Sequence, residues 1–524
     1  MSEYLHPGVY IEEIERGPRP IEGVATSTAA FLGETERGPT RPTLVTSYSQ
    51  YLRWFGGVFD PTKYMPQAVN GFFDNGGRRT FICRIVNRPA TTSGVTLNDL
   101  RIEAAGPGSW GDRVYVEIKE STTKVPDANN PGNSIPVGFR LQVAYWTAAS
   151  VLLPGFAAFN PFDPANNNKL PRPATAEDFD DLSVDENSPD YFTKRVNGSS
   201  SLLYLELVPT PATPPNVPPA ALTKLNGGGE TGGPPDAVDF EGKDPDASKR
   251  IGLEALKLDD FREISLVYAP GISDEAISGA VITHCENQKF RFAVVDAAPH
   301  EANYNNLDPR TKLRETQYAA FYYPWIEITD PQTGARKQVP PGGHVLGIYA
   351  RTDIDRGVFK APANEVVRGA LDLEYNIDDA AQDTLNPRGV NAIRRFPGRG
   401  IRVWGARTLS SNTLWKYVSV RRLFIFLEAS IYEGTQWVVF EPNDEKLWAR
   451  VKDTIRLFLR TQWRLGAMMG LTEDEAFFIA CDRTTMTQDD ILNGRLVCEI
   501  GIAPVRPAEF VIFRIFQRTA EAQR

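Results

Sequence analysis

The sequence predicts a mixed α/β protein of several domains, and three observations carry that prediction. The chain has 524 residues, enough for three or four domains. Two stretches, one up to about residue 90 and one from about 240 to 400, alternate apolar strand patterns with helical ones. Strand, helix and strand at that spacing form βαβ units and a parallel sheet. Between them, residues 91–235 carry short strand patterns set in loops rich in Pro, Asn, Gly and Ser, which reads as a β-rich surface insertion.

The elements follow in order. Residues 4–21 favour a short extended arm, with Val9, Tyr10, Ile11 and Ile14 strand-prone until Pro18 and Pro20 stop them. Residues 29–33 form a buried-strand pattern, 66–75 a helix ended by Gly76-Gly77, and 80–86 a strand. In the insertion, strands are expected at 114–119, 139–146 and 202–208. Beyond it, 251–256 reads as a short helix and 264–268 as a strand. Ser273 is the expected N-cap of a helix to Glu286, with Asp274 and Glu275 in its first turn. Residues 290–295 form the next strand. Pro340-Pro341-Gly342-Gly343 reads as a fixed loop followed by a hinge. Two long amphipathic helices close the pattern. Residues 419–432 place Val420, Leu423, Phe424, Leu427 and Ile431 on one face. Residues 444–465 do the same with Leu447, Val451, Ile455, Phe458 and Leu459. The chain ends in a strongly β-prone run, 509–517.

Composition narrows the function. The net charge is −9, which argues against a general nucleic-acid or anionic-membrane binder. No stretch approaches the apolar length of a membrane span, and residues 1–8 lack a secretory signal pattern, so folding in the cytoplasm is expected. Cys83, Cys285, Cys481 and Cys498 form no C-x-x-C pair and read as free buried thiols. The four histidines are scattered, and neither a metal nor a cofactor is expected.

The final run poses the sharpest question. Phe510, Val511, Ile512, Phe513, Ile515 and Phe516 make a segment whose unpaired edges would aggregate in water. It must join a sheet, either its own or a neighbour's. If both terminal arms pair across copies through heterologous contacts that do not close, a helical tube results.

An ordered set of motifs bears on that choice. It opens with His6-Pro7-Gly8-Val9-Tyr10 and continues at Pro107-Gly108-Ser109-Trp110-Gly111-Asp112. It then runs through Val339 to Gly347, Tyr349 to Asp353, Arg356 to Asn364, Leu385-Asn386-Pro387 and Gly389-Val390-Asn391. Its strongest run is Arg399 to Leu409. Val420 to Leu423, Phe440 to Asn443, Ile502-Ala503-Pro504 and Pro507 to Phe510 complete it. In order and spacing it resembles the phage tail sheath family of contractile phage tails, R-type pyocins and extracellular contractile injection systems. The resemblance implies a subtilisin-like α/β middle domain and a C-terminal α+β domain with exchanged terminal strands. The expected layout is an arm and linker (1–23), the first part of the α/β core (24–90), the insertion (91–235) and the subtilisin-like domain (236–400). A C-terminal sheath domain (401–508) and a terminal arm (509–524) follow. Residues 17–23 and 501–507 are the expected flexible linkers.

The resemblance also implies a structural subunit that polymerises with itself, as stacked hexameric rings, around an inner tube protein and contracts to drive it through a target envelope. Baseplate and tail-terminator or cap proteins, and a paralogous sheath protein, are the further partners implied. Nucleic acid and membrane insertion are not. The particle would assemble in the cytoplasm as a phage tail or a tail-like injection device. Strand exchange would use Val9, Tyr10, Ile11 and Ile14, with Phe510, Val511, Ile512, Phe513, Ile515 and Phe516. Arg399, Arg402, Arg407, Arg421 and Arg422, with Asp353 and Asp355, are candidates for charge contacts between subunits, against the alternative of intrachain bridges. Two segments are candidates for tube contact, 444–465 and 487–493. The first offers Lys446, Arg450, Lys452, Asp453 and Arg456 on its polar face. A hydrolase on the subtilisin-like fold is the rival reading. Asp296 ends a strand, but His284 lies on a helix and no serine turn follows, so no catalytic set is expected.

Overall fold

The computed structural model describes residues 20–127, 130, 132–230 and 233–514. The chain divides into two compact units. Among the described residues, the larger comprises those of 26–355 and 362–418, and the smaller comprises 20–25, 356–361 and 419–514.

Nine strands among the described residues form the main sheet of the larger unit. Its centre is parallel, in the order Thr80–Arg84, Ala29–Gly33, Leu266–Tyr268, Phe292–Asp296, Ala319–Tyr323, Val390–Phe396. Thr43–Val45 closes one edge antiparallel, and Gly400–Val403 followed by Glu365–Val366 closes the other. Ala29–Gly33, Thr80–Arg84, Phe292–Asp296 and Ala319–Tyr323 are buried along their whole length. A parallel strand covered on both faces needs continuous apolar sequence rather than alternation, and that is the pattern these segments carry.

The helix Glu275–Gln288 is capped by Asp274 rather than by the expected Ser273. Asp274 has extended backbone, so its carboxylate accepts from the Ala276 and Ile277 N–H groups, both at 2.9 Å. The expected hinge at Gly342-Gly343 is instead the first turn of a helix, Gly342–Arg356. These glycines are there for closeness. A Cβ on Gly343 would lie 2.3 Å from the Ala68 carbonyl oxygen of helix Met65–Asp74, and one on Gly347 would lie 2.4 Å from the Phe72 carbonyl oxygen. Gly71 of the facing helix leaves room for the His344 ring in the same way.

The insertion has its own core. Phe139–Tyr145 lies between Val114–Glu120 and Thr175–Leu182, with Ala220–Lys224 outside, and Leu100–Ala104 pairs with Gly94–Leu97 and Leu203–Leu207. The apolar centre is built from Ile102, Trp110, Val116, Leu141, Phe192 and Leu205. The short pair Ala90–Thr91 with Gly229–Glu230 ties its two ends together.

The boundary expected at 400/401 cuts the antiparallel pair Val390–Phe396 and Gly400–Val403, so it falls inside the main sheet. The chain leaves the larger unit at 418/419, where helix Val418–Gly434 begins. That helix, helix Glu445–Arg464 and the hairpin Phe477–Ala480 with Glu499–Ile502 build the smaller unit. Leu423, Leu427, Leu447, Val451, Ile455, Phe458 and Leu459 meet in its core, as their periodicity predicts. Both expected linkers are shorter than their sequence suggests. Ile21 is buried in that core and the Val24 N–H donates to Ser430 Oγ at 3.1 Å, so 21–24 are held. Residues 501 and 502 belong to the hairpin, and Pro504 bridges to Met468.

Candidate assembly surface

Among the described residues, the C-terminal run beyond Pro504 forms no strand. The Met469 N–H donates to the Ala503 carbonyl at 2.8 Å, and the Val505 N–H donates to the Ala467 carbonyl at 3.2 Å. From 506 to 514 the backbone is neither helix nor strand. Phe510, Val511, Ile512 and Phe513 are 71%, 66%, 77% and 84% exposed. Water is a poor environment for four consecutive large apolar side chains; burying each is worth about 1.5–3 kcal/mol. Ile515 and Phe516, and Val9, Tyr10, Ile11 and Ile14 of the N-terminal arm, lie outside the described residues.

The hairpin that precedes this run is a two-stranded sheet. Such a sheet is marginal by itself and leaves edges that can accept further strands. Phe478, Leu471 and Leu492 add exposed apolar surface on the same unit.

The arginine cluster divides by burial. Arg407, Arg421 and Arg422 are nearly covered within the single chain. Arg407 donates to the Asn386 carbonyl at 2.9 Å, and Arg421 pairs with Glu428 at 2.7 Å. Arg407 and Arg421 are thus engaged within the chain, and Arg422 is covered. A buried guanidinium needs fixed acceptors, and for Arg407 and Arg421 the chain supplies them. Arg394 and Arg395 likewise pair within the chain, with Asp379 at 2.8 Å and Asp372 at 2.6 Å. Arg399 remains exposed, stacked over the rings of Phe396 and Trp404. Arg402 is half-buried and holds the Asn364 carbonyl at 2.7 Å. Asp353 accepts from the Thr26 hydroxyl at 2.7 Å, and Asp355 is exposed.

Helix Glu445–Arg464 carries its polar face as expected, with much of its charge matched locally. Arg450 covers the Trp437 ring and sits 3.8 Å from Glu441, Lys452 lies 3.7 Å from Asp482, and Arg456 lies 3.3 Å from Glu473. Arg460 also bonds Glu473, whose carboxyl is held below its ordinary range chiefly by that hydrogen bond. Lys446 and Asp453 face solvent. The second candidate helix, Gln488–Leu492, presents Leu492 at its end and has Asp489 and Asp490 matched by Arg495.

Catalytic geometry is not assembled around Asp296. Its carboxylate accepts from the Tyr268 hydroxyl, from the Gly342 N–H at 2.9 Å and from the Gly271 N–H at 3.4 Å. Burial pushes its pKa up to about 7 against those hydrogen bonds. His284 meets the Arg291 guanidinium at 2.7 Å, and burial lowers it to about 3. His344 is buried at the helix contact and lowered to about 4. Asp296 therefore serves as an acceptor joining a sheet strand to the start of helix Gly342–Arg356. Among the described residues no group of three or more His, Cys, Asp or Glu side chains is arranged to hold a metal ion, and no helix is long and apolar enough to cross a membrane.

A sheet with a β insertion is joined in sequence to a helical unit, whose residues 510–513 stand exposed. Residues 252–409 match the phage tail sheath protein central domain, and residues 410–518 match the phage tail sheath C-terminal domain. The chain belongs to the phage tail sheath family. A protein of Pseudomonas aeruginosa (strain UCBPP-PA14), named as a prophage major tail sheath protein, is 24% identical over 51% of this chain and 69% of its own length. The tail sheath protein of Burkholderia phage BcepMu is 27% identical over 40% of this chain and 42% of its own length. The fold is that of the sheath of an extracellular contractile injection system in its contracted state, with a TM-score of 0.61, 23% identity and 99% of each chain covered. The contracted helical sheath of the anti-feeding prophage superposes with a TM-score of 0.57 and 23% identity, over 98% of this chain and all of that one.

Proposed function

We propose that the chain is the repeating subunit of a contractile sheath that polymerises helically around an inner tube and shortens to drive that tube through a target envelope. The observation that carries this reading is the exposed run Phe510 to Phe513, which follows an open-edged hairpin. A strand with no place in its own sheet finds one on a neighbour, and main-chain pairing with pockets for alternate side chains makes the link both strong and specific. The N-terminal arm, with Val9, Tyr10, Ile11 and Ile14, supplies a second link. Two links per subunit, heterologous and open, generate a helix, most simply as stacked hexameric rings.

Contraction then needs no fuel. The same subunit packs in two ways, and the free-energy difference between the packings does the work while the exchanged strands hold the copies together. The reach for this comes from residues 505–508 and from the segment preceding Ile21. The large unit, read as a subtilisin-like domain carrying its insertion outward, is the rigid body that is moved. Arg399, Arg402, Asp353 and Asp355 are the charges proposed to meet neighbouring copies. Lys446 and Asp453, with the partly matched Arg450, Lys452 and Arg456, are proposed to face the tube. Baseplate, terminator or cap proteins and a paralogous sheath subunit are the remaining partners, in a phage tail or tail-like particle assembled in the cytoplasm.

Electron microscopy of the purified chain tests this reading. Full-length protein should form tubes or rings. A chain ending at Pro507 should stay monomeric, with unchanged circular dichroism and thermal unfolding. Tubes of ordinary length from the shortened chain would refute strand exchange through the C-terminus.

A further inference from the structure

The cysteine pair of the smaller unit has a chemistry that assembly does not use. Phe477–Ala480 pairs antiparallel with Glu499–Ile502, with Ala480 opposite Glu499. One step further in the same register, Cys481 faces Cys498. The Ala503 N–H to Ala476 carbonyl bond, at 2.9 Å, marks a hydrogen-bonded position of this ladder. Alternation then puts Cys481 and Cys498 at a non-hydrogen-bonded one, where Cα atoms stand about 4.5 Å apart. That separation lies within the range a disulfide spans. The two thiols are free.

Cys498 is partly exposed, and Cys481 is buried beside a cleft. Cys481 lines a cleft of about 420 Å³ with Glu445, Trp448, Lys452, Asp482 and Arg483. The Cys498 thiol and the Lys452 ammonium both favour the Cys481 thiolate, and its pKa is lowered despite burial. The other two cysteines have neither feature. Cys83 and Cys285 are fully buried, and burial raises both, Cys285 to about 12.

We propose that Cys481 and Cys498 are a redox site, a dithiol that closes to an intrachain disulfide on meeting a small-molecule disulfide and staples the hairpin bearing the C-terminal run. The Cys481 thiolate attacks one sulfur of the oxidant RS–SR, forming a mixed disulfide and expelling RS⁻. Capping Cys481 removes the interaction that holds the Cys498 thiol high. Cys498 passes its proton to the expelled thiolate and attacks Cys481 Sγ, releasing the second RS⁻, which takes up the proton Cys481 gave to solvent. One RS–SR is reduced to two RSH, and two protein thiols become one disulfide. The bond would close the loop 482–497, fixing the base from which residues 505–514 depart. A particle that leaves a reducing cytoplasm would acquire this staple outside. That setting rests on the proposed function, whereas the thiol chemistry does not.

The test uses the folded full-length chain and oxidised glutathione. After exposure, acid quenching and alkylation with N-ethylmaleimide in denaturant, alkylation should fall from four thiols to two. Tryptic digestion should join the peptide 465–483 to the peptide beginning at Leu496, leaving Cys83 and Cys285 alkylated. Cys498→Ser should accumulate the glutathione adduct on Cys481, and Cys481→Ser should leave Cys498 largely unmodified over the same time. Four free thiols after exposure, or stable adducts on both cysteines without a crosslink, would overturn the proposal. Either result leaves tube formation, and therefore the sheath reading, untouched.

Discussion

Asp296 shows how one buried group sets a pH response. Its folded pKa of about 7 lies above its ordinary value of 3.8. The native state therefore binds this proton more tightly than the unfolded chain. Stability from this group is fully present below pH 4 and falls as pH rises towards 7. His344 and His284 act with the opposite sign, because burial lowers both from 6.5, to about 4 and about 3. Their contribution is present above pH 6.5 and is lost as pH falls through those folded values. Asp296→Asn should remove the first trend alone: relative to the parent, the variant should gain stability between pH 4 and pH 7 as pH rises. Denaturant unfolding at pH 4.5, 6 and 7.5 measures the difference, and a pH-independent difference would contradict the assignment. The sequence marks Asp296 as a strand-end carboxylate, the setting of many catalytic groups. It does not reveal that Tyr268, Gly271 and Gly342 have already taken its oxygens, because those partners lie 28, 25 and 46 residues away.

At the scale of elements, periodicity was the reliable guide and loops were not. Helices at 65–74, 418–434 and 445–464 agree with their expected limits to within a residue or two. Each has an apolar stripe, and Glu445–Arg464 also has Asp444, whose side chain accepts from the Leu447 N–H at 2.8 Å. Gly342-Gly343 misleads because glycine signals either backbone freedom or close approach, and sequence does not distinguish them. Only the facing helix Met65–Asp74 decides for closeness. Gly343→Ala should accordingly destabilise the larger unit by about 1–3 kcal/mol, since the new Cβ would press on a backbone oxygen that cannot rotate away. A shift in the urea midpoint without a change in slope is the expected signature; a neutral variant would restore the hinge reading. The arginine cluster misleads for a related reason. Arg407, Arg421 and Arg422 look like surface charge in one dimension, yet the fold draws all three inside.

For the molecule as a whole, both units close around cores of their own. The parallel sheet, the inserted β unit and the helical unit each account for their apolar residues. Among the described residues, Phe510 to Phe513 stand exposed as four consecutive large apolar side chains. Their sequence predicts a strand, and the strand exchange proposed above assigns its partner to another copy. Hydrogen exchange of assembled tubes, resolved to the peptide covering residues 509–514, tests that claim directly. Strand exchange predicts that these amides are protected in the tubes to the same degree as those of Phe477–Ala480 and Glu499–Ile502. Complete exchange of 509–514 within seconds, in tubes whose hairpin amides stay protected, would contradict it.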